Sequence, residues 1–570
     1  MQNFMKMVYA GKVREHVRKY FNPEGFDPLA FRDVAKLGLL ALLLAELVVY
    51  IFLQQSADLG ELPHNITDAI IISISLLEFL VVPVISGLGS ERRRSVLVGW
   101  TIAALVTTVP LFALPDPDTT VDEGLCITAV PLAPRSIAMG VSAKTAFRLS
   151  MLLICGVVSA LGRAAFFSHG LAYLDEQNSS YNLHMHVGLF ILYRVMVYVL
   201  GSCMRTMTLD MPWLQILIIV IKYLLTLIRL FRYPEAIPVP EKERRSAKGL
   251  LSSMGRVLGS GVGLLQILAM ALLAAAWWGF GMHEAAFVQV KYYVHPDNDS
   301  QMGMLNMNVK LISIVLGVIL AGYIYTAPVM PKFDRKAAVA SAARMSFLAT
   351  VFYVVMTAVL SCNRSGIGGM AELNYTQPAC GQSCGCDRPW MEFTPVCVPE
   401  QMTTYFSPCH AGCATADTVN SIGIYSNCSC APGGRVTRGA CDDGSCASMY
   451  NLHQMFYVMV CLVSTLAFIW QTTVLLESVD KRDGAMAIGL ASSVVSLVAL
   501  VGAHGFYMGI SWFTCAFSRG SKCLLQNDQF APWVGYSSSV LAALALILTV
   551  ISCVLLRRQK APKEEDVYLG

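Results

Sequence analysis

The sequence predicts an all-α polytopic membrane protein: about twelve transmembrane helices in two sets of six, plus one small disulfide-rich extracellular module. Three observations predict it. Of 570 residues, 55% are hydrophobic and 14% charged. Soluble domains carry about 25% charged residues, so charge here is too scarce to cover a soluble surface. Twelve apolar runs follow one another, each long enough to cross a hydrocarbon core of ~30 Å, with a basic stretch after the sixth. Between the ninth and tenth runs lie eleven cysteines in 85 residues.

In chain order, residues 1–33 carry Lys6, Lys12, Arg14, Arg18, Lys19 and Arg32 with no apolar core before them. That stretch reads as a cytoplasmic tail, with no signal peptide expected. Helices one to six occupy 34–230, with runs at 34–53, 67–89, 95–114, 146–165, 184–204 and 213–230. A basic cytoplasmic linker, 231–256, holds Lys242, Arg244, Arg245 and Lys248. Helices seven to nine occupy 257–361, with runs at 257–282, 309–327 and 344–361. The cysteine-rich loop is 362–451. Helices ten to twelve occupy 452–556, with runs at 452–476, 484–510 and 533–556, and a tail covers 557–570. Six helices, a linker and six more is the layout of two transporter halves related by pseudo-symmetry.

The loop fixes the orientation. Its cysteines are Cys362, Cys380, Cys384, Cys386, Cys397, Cys409, Cys413, Cys428, Cys430, Cys441 and Cys446. Such a density implies a disulfide framework in an oxidising space. Sequons at Asn363, Asn374 and Asn427 point the same way, and those at Asn65 and Asn298 fall in other outside loops. Loops and tails then assigned inside hold 24 Lys and Arg, against 10 outside, which is the positive-inside pattern. Both termini are cytoplasmic in this scheme. Glycans are expected at some of these five asparagines and none at Asn178, which falls inside. Single Asn→Gln changes read by gel mobility check this; a glycan lost only in Asn178→Gln would reverse the orientation. Cys515 and Cys523 share the last outside loop and are expected to pair. The eleventh cysteine of the large loop is either free or bonded to Cys126.

Within the loop, Cys380, Cys384 and Cys386 precede T-P-V-C ending at Cys397, S-P-C ending at Cys409 and A-G-C ending at Cys413. This spacing resembles a Kazal-type module. Set between two apolar helices, it resembles the large loop of the organic anion transporting polypeptide family. Weaker matches occur in the family's order. Glu78 in helix two precedes G-S-E-R-R-R at 89–94 and resembles the family's helix-two Glu and G-x-x-x-x-R-P-R turn, without the Pro. G-L-A-Y-L-D-E at 170–176 resembles G-x-x-Y-x-D-D. Asp210 and Trp213 match the start of the family's Trp-rich signature, whose remainder is absent. Y-P-E-A-I-P at 233–238 resembles F-P-K-x-L-P, and Cys362-Asn363 with I-G-G-M resembles the start of the family's large loop. The resemblance implies a divergent, rather short member. It also implies a major facilitator-like fold and a plasma-membrane transporter that moves amphipathic, sterol-like or conjugated organic anions by alternating access without ATP hydrolysis.

No enzyme constellation, cofactor motif or metal set is expected. No G-x-x-x-x-G-K-[S/T] loop is present. G-S-G-V-G at 259–263 reads as close helix packing, and the Cys-x-Cys groups read as disulfides before zinc ligands. Arg388 in the module could fill a protease pocket, but Pro389 fits such a role poorly. Ionisable groups inside apolar runs are the better pointer, because burial costs ~2.5–3.5 kcal/mol on insertion scales. Glu46, Glu78, Arg194, Lys222 and Lys310 qualify; Glu78, Arg194, Lys222 and Lys310 are the substrate-path candidates. Arg194 and Lys222 could equally pair with Glu78 or Glu46, while Arg163, Arg229 and Arg344 are read as snorkelling near helix ends. The expected partners are a small organic anion and the bilayer, with a counter-anion as an exchange partner and no nucleic acid. The contrasting reading is a non-transporting receptor or scaffold that binds a protein through the cysteine-rich ectodomain. A third is a transporter of another solute, such as a lipid or hormone precursor.

Overall fold

The computed structural model describes residues 28–58, 64–88, 93–113, 143–177, 187–188, 190–191, 212–231, 247–294 and 335–558, except 372, 383, 385, 387–392, 420–421, 443 and 520–521. Among the described residues, ten helices are long and apolar enough to cross a membrane. The runs expected at 184–204 and 309–327 lie largely outside the described residues, and Arg194 and Lys310 lie outside with them.

The first half is built from α1 (Pro28–Asp58), α2 (His64–Leu88), α3 (Arg93–Thr108), α4 (Ala143–Gln177) and α5 (Pro212–Leu230). Its core joins α1 and α4 through Leu42, Ala45, Phe166 and Leu171, and Tyr223 closes it from α5. A Cβ at Gly38 would lie 2.3 Å from the Phe166 ring, so α1 reaches α4 only because position 38 has no side chain. α2 contains Pro83. A proline within a helix cannot donate to the carbonyl four residues earlier, and this leaves the Phe79 carbonyl open.

A 13-residue helix too short to span, α6 (Ala247–Gly259), leads into the second half. That half runs through α7 (Gly261–Tyr292), α8 (Arg335–Val354) and α9 (Ser445–Glu477). α10 (Gly484–Val495) continues through a π-helical stretch, Ser496–Ala503, into α11 (His504–Phe513), and α12 (Phe530–Arg558) closes the half. Phe280, Phe287, Tyr353, Tyr507 and Phe530 form its core. The G-S-G-V-G stretch is the break between α6 and α7. The Ser260 hydroxyl accepts from the Gly263 amide at 3.3 Å and donates to the Ser478 carbonyl at 3.2 Å.

Between α8 and α9 the chain forms a disulfide-rich module around a five-stranded antiparallel sheet. Strands β1 (Met370–Ala371) and β2 (Asn374–Tyr375) form a separate pair. The sheet order is β4-β3-β7-β6-β5, from β3 (Val396–Val398), β4 (Thr403–Tyr405), β5 (Cys413–Val419), β6 (Ile422–Cys428) and β7 (Arg435–Arg438). Five bonds staple it: Cys362–Cys446, Cys380–Cys430, Cys386–Cys409, Cys397–Cys441 and Cys413–Cys428. Cys384, Cys386 and Cys409 lie close enough to resemble a metal set, but the Cys386–Cys409 bond removes two of the three thiolates. Cys384 is itself disulfide-bonded; Cys126, the partner weighed for the odd cysteine, lies outside the described residues. Asn363, Asn374 and Asn427 are exposed on the module.

A hairpin of β8 (Cys515–Arg519) and β9 (Lys522–Gln526), closed by Cys515–Cys523, joins α11 to α12. Phe393, Phe406 and Tyr375 of the module pack with Leu524 and Leu525 of this hairpin and with Tyr293 at the end of α7. Arg364 stacks over the Tyr293 ring at 4.1 Å and pairs with Asp528 at 2.6 Å. The module is thereby seated on the second half. Burial pushes the Tyr375 phenol above its ordinary range, with the Tyr405 phenol adding to the shift.

Candidate functional site

The two halves meet along α2 and the helix α10–α11. At Gly489 a Cβ would lie 2.0 Å from the Ser86 hydroxyl, so glycine permits close approach there. One turn on, Ser493 donates to the Phe79 carbonyl at 2.6 Å. This is the carbonyl that Pro83 leaves without its helical donor, and the other half supplies the donor instead. Ser496, at the start of the π stretch, donates to Glu78 Oε2 at 2.7 Å. Single-turn π segments widen a helix locally and recur at functional sites. Toward the module end, His504 Nε2 lies 3.2 Å from Asp68 Oδ1.

Glu78 connects this seam to an ion cluster inside the first half. Arg163 of α4 donates through Nε to both Glu46 oxygens, at 2.7 and 2.9 Å, and through Nη2 to Glu78 Oε1. Glu78 is 3% exposed, Arg163 11% and Glu46 25%. The planar guanidinium suits this task because it offers several fixed donors and holds two carboxylates at once. The snorkelling role expected for Arg163 is therefore corrected. α4 runs on to Gln177, so Arg163 sits well inside it and not near its end.

At the end away from the module, Asp483 just before α10 is buried. It accepts from Ser253 at 2.6 Å and from Arg256 Nε and Nη2 at 2.7 and 2.8 Å. Leu250 of α6 covers Gly87, where a Cβ would meet it at 2.0 Å, and Met486 lies beside it. The short helix α6 thus touches both halves at the foot of the seam.

Of the substrate-path candidates, Glu78 lies in the seam. Lys222 is half-buried on α5 and makes no ion pair among the described residues; Arg194 and Lys310 lie outside them. Residues that sequence reasoning missed are Asp68, Ser493, Ser496, His504 and Asp483. A second polar group lies in the other half. Glu284 of α7 accepts from Gln454 of α9 at 2.7 Å and lies 3.8 Å from His453 Nε2. Nearby, Lys291 donates to the Thr357 carbonyl at 2.5 Å. The expected seventh run stopped at 282 and so excluded Glu284 and Lys291, but α7 continues to Tyr292 by burying Phe287, Val288 and Val290.

Comparison with known proteins bears on this arrangement. The family model for the Organic Anion Transporter Polypeptide (OATP) family matches residues 38–529. Human solute carrier organic anion transporter family member 2B1 is 24% identical over 314 residues, which is 50% of this chain and 42% of that protein. The mouse 2B1 protein is 24% identical over 44% of this chain and 38% of its own length. The chain thus spans less than half the length of these relatives. Human member 1C1 is 20% identical over 89% of this chain and 84% of its own length. Among solved structures, the human organic anion transporter MFSD10 (TETRAN) is similar with a TM-score of 0.52 and 13% identity, covering 92% of this chain and 100% of that one. The major facilitator superfamily proton:xylose symporter XylE gives 0.51 and 14%, covering 92% and 94%. These two likenesses establish the fold alone, a major facilitator-like helical architecture.

Proposed function

The chain belongs to the organic anion transporter polypeptide family, and from that premise we propose that it carries amphipathic, sterol-like or conjugated organic anions across the plasma membrane. It does so by alternating access, without ATP hydrolysis and without enzymatic chemistry, in exchange for a counter-anion. Twelve helices form two halves, 34–230 and 257–556, with both termini cytoplasmic. The Kazal-like module, 362–451, is extracellular and glycosylated. One observation carries the reading. Ser496 to Glu78, Ser493 to Phe79 and His504 to Asp68 each join one half to the other. Each such contact can form or break without unfolding a helix. A rocking motion needs a bistable interface of this kind.

A large apolar solute with one negative charge suits a cavity with apolar walls and few cations. Arg194, Lys222 and Lys310 supply those cations. A charge-assisted hydrogen bond in a dry site contributes about 1.5–3 kcal/mol. Arg194→Ala and Lys222→Ala are therefore expected to reach the surface in normal amount and to weaken apparent affinity about 10- to 100-fold. Uptake of labelled anionic steroids and prostanoid-like acids in cells expressing the protein is the measurement, with a neutral analogue as control. Wild-type uptake by both variants would place the substrate path elsewhere. No uptake of any such anion by surface-delivered wild type would remove the transporter reading.

A further inference from the structure

We propose that a groove between α7, the π-helical stretch and α12 binds a neutral sterol from the surrounding membrane. The site is separate from any path for a transported anion and does not depend on the transporter reading.

The groove holds about 850 Å3. Val498 and Gly502 of the π-helical stretch line it with Phe506 of α11. Trp533, Tyr536 and Val540 of α12 line it from the other side. Its origin is local. A π-helical turn is wider than an α-helical one, so the chain bulges where it passes α12. Gly502 then adds no side chain to that wall. A Cβ there would meet only the Leu497 carbonyl, at 3.4 Å, and otherwise open space. Ser496, which holds Glu78, belongs to the same stretch. A molecule in the groove therefore rests on the segment that carries the seam between the halves.

The groove opens toward lipid. Phe506, Trp533, Tyr536 and Val540 are each more than half exposed, and large apolar side chains so exposed on a spanning helix face the bilayer. Trp533 and Tyr536 alone would read as interfacial anchors. Here they edge a cavity, which an anchor on a smooth helix face does not do. The mouth lies at the module end, where Asp528 and Gln529 precede α12. Val540 lies ten residues in from Phe530. At ~1.5 Å per residue that is ~15 Å, half of a hydrocarbon core of ~30 Å. The groove is thus one leaflet deep.

Shape and charge select the occupant. Exchanging one apolar neighbour for another inside a bilayer brings no hydrophobic gain, so selection rests on packing and on the head group. A fused ring system loses little freedom when held against aromatic faces, whereas an acyl chain loses many rotamers. The walls are almost entirely apolar, and the ionisable side chain at the mouth is a carboxylate, Asp528. No Lys or Arg is among the described lining residues. Arg364 lies beside Asp528 but is committed to it, to the Tyr293 ring and to the Val290 carbonyl. The Asp528 carboxylate and the Gln529 amide oxygen can accept from a hydroxyl. Nothing described at the mouth would hold a phosphate or a sulfate. The charge complement is therefore a neutral amphiphile with one hydroxyl and a rigid body, and not a phospholipid or a conjugated anion.

Full-length protein in phosphatidylcholine nanodiscs, exposed to a photoreactive, alkyne-tagged cholesterol and mapped by mass spectrometry, tests the site. Labelling is expected to concentrate on 498–506 and 528–541 over the lipid-facing surface of α5. It should be lost in Val540→Trp and in Gly502→Leu, which fill the groove from opposite walls. Ile218→Trp, on the exposed face of α5, is the control and should leave it unchanged. Excess untagged cholesterol should remove the wild-type label, while cholesterol sulfate and phosphatidylserine should not. Equal labelling of α5 and α12, or full labelling of a folded groove variant, overturns the site. Removal of the label by cholesterol sulfate or phosphatidylserine as readily as by cholesterol overturns the neutral-sterol assignment. Either groove variant decides if the other does not fold. If neither folds, the distribution of label on the wild type and its competition decide.

Discussion

Cys397→Ala is expected to abolish surface delivery and leave the protein with immature, endoglycosidase-sensitive glycans. Cys397 lies on β3, an interior strand of the module's sheet, where it faces Thr404 of β4 and Thr437 of β7. Its sulfur bonds Cys441, and the loop so closed spans 44 residues. The apolar core of this sheet is small: Val396, Val398, Tyr405, Ala411, Ala431 and Val436, with cysteines filling the rest. With so few apolar side chains to bury, a small extracellular module of this kind leans on its cross-links. Loss of one native disulfide typically costs 2–5 kcal/mol in such a domain, comparable to its whole stability. The damage spreads, because Phe393 and Phe406, which flank strands β3 and β4, seat the module on Tyr293 and the β8–β9 hairpin. Cys553→Ala is the matched control, since Cys553 is a free thiol on α12. Surface biotinylation should find that variant at wild-type level. Normal delivery of Cys397→Ala would mean that the sheet does not depend on its disulfides.

What the sequence revealed and what it hid divide along physical lines. Long apolar runs announce themselves, and the described spans lie where those runs lie, because a bilayer demands about twenty apolar residues and little else. The ends were less legible. α4 and α7 outlast their apolar runs by burying one face, through Phe166 and Leu171 in α4 and Phe287 and Val290 in α7, while polar residues occupy the other. A hydropathy window averages that face away. The error had consequences, since it put Arg163 at a helix end and left Glu284 outside the helix. Ser493 and Ser496 carried no signal, because a serine in an apolar run is common and its partner lies more than 400 residues away. Pro83 did carry one: a helix proline frees a carbonyl that something must satisfy. The Cys515–Cys523 pair was legible because the two share one short loop, but pairing within the large loop was out of reach for another reason. Eleven cysteines admit very many connectivities, and only the sheet register brings Cys413 opposite Cys428.

Arg163→Ala is expected to be the most damaging single change within the helices. It removes a guanidinium that bonds both Glu46 and Glu78. Glu78 is nearly inaccessible, so its charge would lose its strongest partner without gaining water. Breaking a buried pair from one side costs about 3–5 kcal/mol, because it strands the other charge. On the scale of 1.4 kcal/mol per decade, that is more than a hundredfold in the folded population. Arg163→Lys should recover only part of the loss. An ammonium is a point charge without the planar fork that spans two carboxylates. Glu78→Gln should be milder than Arg163→Ala. Arg163 keeps Glu46, and the amide can still accept from Ser496. The decisive variant combines Arg163→Met with Glu46→Gln and Glu78→Gln. With these three charges removed together, it should regain much of the lost surface amount and thermal stability. Its uptake should remain impaired if Glu78 carries information between the halves, because the link from Arg163 through Glu78 to Ser496 is cut. Surface biotinylation, melting of purified protein and anion uptake separate these outcomes. Full recovery of uptake in the triple variant would make the cluster a folding element alone. Wild-type stability of Arg163→Ala would show that the three charges do not depend on one another.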